Sequence, residues 1–119
     1  MDVRPKTLIV DIDGTILYHH GDLVGQSRPT LEILPGVLDK FNEWDKKGYR
    51  IILLTGRKES MRELTEGQLK HAGLFYDMLI MGVGGGARVL INDLKTDEKE
   101  PMAVAVNVIR NAGLANLDI

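Results

Sequence analysis

Short apolar runs alternate along the chain with segments of helical period. In "TLIVDID", Leu8, Ile9 and Val10 are consecutive and apolar, which predicts a strand buried on both faces of a parallel sheet. Residues 16–34 have no helical period and contain Gly21, Gly25 and Pro29, so a short hairpin or flap is expected there. "PGVLDKFNEWDKKG" places Val37, Leu38, Phe41 and Trp44 on one helical face, with Pro35 able to start the helix and Gly48 to end it. "YRIILLTGR" reads as a second buried strand ending in a polar turn. In "ESMRELTEGQLKHAG", Met61, Leu64, Leu69 and Ala72 fall roughly on one side of a helix that Gly73 stops, and Gly67 weakens it from within. "YDMLIMG", "RVLIND" and "MAVAVNVI" read as third, fourth and fifth strands. The charged loop "LKTDEKEP" has no room for a regular helix, and "RNAGLANLDI" reads as a terminal turn.

Strands alternating with helices imply right-handed βαβ units and a parallel sheet. Ligands of such sheets bind beyond the carboxyl ends of the strands. That rule brings distant residues to one edge. Asp11 and Asp13 end strand one, Thr55 ends strand two, and Asn92 and Asp93 end strand four.

Composition narrows the classes. The 119 residues suggest one α/β domain, spanning residues 1–119. The apolar fraction of 44% and charged fraction of 27% are those of an ordinary globular chain. A net charge of −2 gives no sign of a nucleic-acid or membrane field. Without cysteine there are no disulfides or thiolate metal sites. The apolar runs are short for a membrane span, and Asp11 and Asp13 break the N-terminal one, so no signal peptide is read. A cytoplasmic protein is expected.

"DIDGT" carries the chemistry. In a continuous strand Asp11 and Asp13 share a face, where two carboxylates repel unless a cation sits between them. A divalent metal would resolve the conflict, and a carboxylate with a backbone carbonyl is a typical Mg²⁺ donor set. Gly14 lets the chain turn, and Thr15 adds a hydroxyl. The plainer reading is a strand end with two solvated aspartates.

"LIVDIDGT", "IILLTGR" and "RVLINDLK", in that order, resemble the first, second and fourth motifs of the haloacid-dehalogenase-like hydrolase superfamily, most of whose members are Mg²⁺-dependent phosphatases. The resemblance implies a Rossmann-like three-layer α/β/α sandwich with a five-stranded parallel sheet in the order 5-4-1-2-3. It implies Asp11 as the nucleophile that forms an aspartyl-phosphate, and Asp13 as the acid that protonates the leaving oxygen and then activates water. Thr55, with Gly56 beside it, would bind the phosphoryl oxygens. Asp11, Asp13 and Asp93 would hold Mg²⁺, with Asn92 as a further ligand. Relatives usually carry a lysine where Val83 stands. Arg88 is the cation within that stretch and the candidate phosphate contact, while Arg57, Lys58 and Lys70 are other cations able to reach in.

No separate cap domain is expected, only the flap at about 16–34, on which His19, His20 and Arg28 are candidate contacts for an anionic substrate. Capless relatives often oligomerise so that a second copy closes the site, and many act on sugar phosphates or other phosphorylated metabolites. The leading expectation is therefore a Mg²⁺-dependent phosphomonoesterase for a small phosphorylated metabolite, with no nucleic-acid or membrane partner. A protein that binds a phosphosugar or nucleotide sugar without turnover is the alternative, motivated by Val83. A dinucleotide site on Gly82-x-Gly84-x-x-Ala87 fails on context, because that fingerprint should open a helix and "RVLIND" follows it.

Overall fold

A computed structural model describes residues 3–94, 97 and 100–119. Three parallel strands, β1 (Thr7–Asp11), β2 (Arg50–Leu54) and β3 (Met78–Ile80), form one sheet in the order β1-β2-β3. The helices are a single turn α1 (Leu23–Gln26), α2 (Val37–Lys46) and α3 (Arg62–His71), the last entered through a 3₁₀ turn at Glu59–Met61. Gly48 and Gly73, both at positive φ, end α2 and α3, as the sequence predicts. Among the described residues, no helix is long and apolar enough to cross a membrane.

The register explains where the core lies. Leu8 pairs with Ile51, Val10 with Leu53, and Leu53 with Leu79, so these five share one face. That face belongs to a single core that also contains Val37, Phe41 and Trp44 of α2 and Leu69 of α3. Ile9, Ile52 and Met78 share the opposite face with Asp11, Leu54 and Ile80. There Ile9 remains 53% exposed, so β1 is not buried on both faces as its apolar run suggests, and Met78 of β3 is 48% exposed.

The expected five-stranded sheet is therefore corrected to three strands. Residues 88–93 and 102–109 are outside the sheet, and the described part of each contains no regular element. Parallel neighbours need a crossover of about a dozen residues or more, usually a helix. Only residues 81–87 separate β3 from "RVLIND", and eight residues separate that segment from "MAVAVNVI". Each connection is shorter than such a crossover needs. The order 5-4-1-2-3 and the second helical layer are absent from the described residues for the same reason. The expected charged loop falls partly outside the described residues, at 95, 96, 98 and 99.

Residues 16–34 form a hairpin carrying α1. Leu17 bridges Ile33 antiparallel, the Tyr18 amide donates to the Glu32 carbonyl, and the Leu34 amide donates to the Ile16 carbonyl. The Asp22 carboxylate caps α1 by accepting from the Gly25 amide. The terminal turn closes over this hairpin. The Asn111 amide donates to the Gly14 carbonyl at 2.8 Å, and the Asn111 side chain both accepts from the His19 amide and donates to the His19 carbonyl.

Candidate active site

The carboxyl ends of β1 and β2 lie side by side, because Asp11 is in register with Leu54. "DIDGT" and "TGR" therefore emerge next to each other. Gly14, at φ +85°, turns the chain after Asp13, and its amide donates to the Leu17 carbonyl. Asp11 Oδ2 accepts from the Thr15 hydroxyl at 3.1 Å. Asp11 Oδ1 accepts from Arg88 Nη1 at 3.0 Å. Arg88 thus stands on the expected nucleophile, in a pair whose side chains are 39% and 35% exposed.

Asp13 has a different partner. Arg57 grips it through two bonds, Nε to Oδ2 at 2.9 Å and Nη2 to Oδ1 at 2.6 Å. The Arg57 side chain is only 5% exposed. A planar guanidinium meeting a carboxylate along two parallel bonds fixes direction as well as charge. Gln26 of α1 adds a third donor to the Asp13 carboxylate, at Oδ1 and 2.7 Å. Two guanidiniums thus supply the counter-charge that the sequence assigns to a metal.

Thr55 is buried. Its hydroxyl oxygen accepts from the Arg57 amide at 3.1 Å, leaving the hydroxyl proton to be donated elsewhere. The glycine run is tied to the same loop, with the Gly82 amide on the Arg57 carbonyl and the Val83 amide on the Thr55 carbonyl. A Cβ at Gly56 would stand 3.0 Å from the Val83 carbonyl oxygen, so glycine permits this close approach. These contacts carry the chain past the site to Arg88.

Asn92 and Asp93 do not join the site. Both are exposed, and the Asn92 side chain donates to the Asp93 carbonyl. Among the described residues, no three His, Cys, Asp or Glu side chains are grouped to hold a metal ion. The Mg²⁺ donor set of Asp11, Asp13, Asp93 and Asn92 is therefore not assembled, and the first two carboxylates already face arginine. Of that donor set, Asp11 and Asp13 stand together at the strand ends, and Asn92 and Asp93 lie outside the pair.

Sequence reasoning misses Gln26, Thr65 and Gln68, which surround Arg57 and Asp13. It also misses Arg110, whose Cγ would lie 3.1 Å from a Cβ at Gly14, and Asn111, which anchors the flap. The available signal is the spacing of Thr65 and Gln68 at i and i+3 on α3, after a strand followed by a turn that carries Arg57. Polar residues on a helix read first as its solvent face, and that reading hides them.

No protein-family model matches the chain. It is 33% identical over 90 residues to the stem 28 kDa and stem 31 kDa glycoproteins of Glycine max. Those matches cover 61% of this chain but 35% and 31% of the relatives, so the chain spans about a third of the length of the curated relatives it matches. A chain of the Pnkp1/Rnl/Hen1 complex is similar with a TM-score of 0.59 and 32% identity, over 71% of this chain and 30% of that one. A chain of the Pnkp1/Rnl/Hen1 RNA repair complex gives 0.57 and 29%, over 80% and 28%. A protein from Vibrio cholerae gives 0.54 at 20% identity, over 73% and 79%, a likeness of fold alone.

Proposed function

We propose that this chain is a haloacid-dehalogenase-like phosphomonoesterase acting through an aspartyl-phosphate. The observation that carries the reading is the meeting of Asp11, Asp13 and Thr55 at the carboxyl ends of adjacent parallel strands, with an arginine on each carboxylate. An Asp11 oxygen attacks phosphorus while the ester P–O bond breaks, and Asp13 delivers a proton to the departing oxygen. Water then attacks the phosphoryl group, Asp13 takes its proton, and phosphate leaves Asp11. Arg88 offsets charge at the nucleophile in place of the family lysine, and the Thr55 hydroxyl donates to a phosphoryl oxygen. The reading includes a requirement for Mg²⁺, a cytoplasmic location, and a second copy that covers the site.

The substrate in this reading is a small phosphorylated metabolite such as a sugar phosphate. The likeness to chains of an RNA repair complex supports a second substrate class, a phosphomonoester at an RNA end. One panel separates them: p-nitrophenyl phosphate, sugar phosphates and an RNA oligonucleotide bearing a terminal phosphate, each with Mg²⁺ and with EDTA. Phosphate release is expected with Mg²⁺, and Asp11→Asn should reduce it by about 10³-fold or more. Undiminished turnover in Asp11→Asn sinks the mechanism. A compound that raises the melting temperature without being turned over points instead to a binding protein.

A further inference from the structure

The five buried polar side chains of the described residues are Gln26, Thr55, Arg57, Thr65 and Gln68. Four of them, all but Thr55, form one network with Asp13. Arg57, while gripping Asp13, donates from Nη1 to Thr65 Oγ1 at 2.9 Å and to Gln68 Oε1 at 2.6 Å. The Gln68 amide nitrogen then crosses to the flap, donating to the carbonyls of Gln26 at 2.9 Å and Arg28 at 2.6 Å. The Gln26 side chain closes the circuit. Its nitrogen donates to Asp13 Oδ1 and to the Tyr18 carbonyl, and its oxygen accepts from the His20 amide. The path from Asp13 through Arg57, Gln68 and Gln26 returns to Asp13.

Both amide protons and the carbonyl oxygen of each glutamine are engaged. Buried polar circuits of this kind are rigid when complete and costly when one member fails. The chemistry at Gln68 is restrictive. Its position needs one acceptor for a guanidinium and two donors for carbonyls, which a carboxylate, an ammonium or an apolar side chain does not provide.

We infer that Gln68 is a positioning residue for Asp13: acting through Arg57 and Gln26, it fixes the direction of that carboxylate and ties the seating of the flap to it. The flap is then part of the acid–base machinery. Lifting α1 withdraws a donor from Asp13, and turning Asp13 loosens α1. The catalytic half of this inference rests on the proposed phosphatase reading, and the structural half does not.

The test is hydrogen exchange of flap amides 18–28 in wild type, Asp13→Asn, Gln68→Met, Gln68→Glu and the Asp13→Asn/Gln68→Met double variant. It is paired with kcat and KM for p-nitrophenyl phosphate. Each single substitution should speed flap exchange by about 10-fold, the worth of one or two buried hydrogen bonds. The double variant should add no more than about 2-fold, because one circuit is broken once. Gln68→Met should lower kcat by about 10-fold with KM nearly unchanged, the pattern of a lost transition-state alignment. Gln68→Glu keeps the acceptor for Arg57, so it should retain more kcat than Gln68→Met while still freeing the flap. Wild-type flap exchange in either Gln68 variant, additive effects in the double variant, or an unchanged kcat in Gln68→Met overturns the inference. If Gln68→Met does not fold, Gln68→Glu decides the flap arm. If wild type releases no phosphate from any compound, the proposed function fails, and the exchange measurements alone decide the coupling.

Discussion

Arg57 and Arg88 each pair with one aspartate of "DIDGT", and burial separates what they do. Arg57 is enclosed, and most of its donors are committed to Asp13, Thr65 and Gln68. Removing one partner of such a pair leaves the other charge buried and uncompensated. Arg57→Leu should therefore cost about 3 kcal/mol of folding stability, read from urea unfolding midpoints. Arg88 sits in a half-exposed pair, which solvent screens, so Arg88→Ala should change stability by less than about 1 kcal/mol. Under the proposed phosphatase reading its effect should appear in turnover, as a fall in kcat/KM of about 10- to 100-fold on a reactive phosphomonoester. A variant with lowered stability and unchanged kcat/KM would place Arg88 among purely structural residues. At this scale the chemistry-bearing residues were partly legible. Asp11, Asp13, Thr55 and Arg88 announce themselves as charged or hydroxyl groups at strand ends. Gln26 and Gln68 do not, since a neutral amide on a helix carries no sign that it is buried.

Helix α3 illustrates the same limit one level up. Its predicted apolar side includes Leu69, which is fully buried, but Thr65 and Gln68 are also fully buried because the core at that end is built around a guanidinium. The first three strands and both long helices were readable, since apolar runs and glycine stops fix them locally. How the terminal turn docks was not. Gly113 adopts φ +85°, and a Cβ there would meet the Pro35 carbonyl oxygen at 2.2 Å, beside the start of α2. Gly36 faces Ala115 in the same way, at 2.4 Å. Gly113→Ala combines a left-handed backbone with a steric clash, and should lower stability by about 2 kcal/mol in chemical denaturation. Before β3, desolvation pushes the Tyr76 phenol above its ordinary range, with Glu66 adding to the shift. As pH rises the unfolded chain therefore loses this proton first. The contribution is fully present below the ordinary tyrosine value of about 10 and is lost as pH climbs through the higher folded value. Tyr76→Phe should flatten that alkaline loss in thermal melts taken across this window; an identical slope in both proteins removes Tyr76 as its source.

At the scale of the molecule, stability is concentrated in one half. The core joins the inner face of the sheet to α2, α3 and the hairpin, whereas Val89, Ile91, Val104 and Ile109 are each more than three-quarters exposed. The sequence of residues 88–93 and 102–109 is strand-like, but a strand needs a neighbour, and the short connections on either side do not deliver one. The outer edge of β1 consequently has no strand partner among the described residues, and no described backbone amide from Gly84 to Val108 donates to a backbone carbonyl. Amides without hydrogen bonds exchange at rates set by local structure and not by global unfolding. Native-state hydrogen exchange should therefore divide the chain in two. Amides donating within β2 and β3 should exchange only through large-scale opening, while those of residues 84–94 and 100–108 should exchange within about 10-fold of an unstructured peptide. The Asn111 amide, bonded to Gly14 across the flap, should mark the return of protection. If residues 88–93 instead exchanged as slowly as β2, they would have to be paired in solution, within the chain or against another copy. Sedimentation at two protein concentrations would then distinguish those arrangements, because only pairing between copies is diluted away.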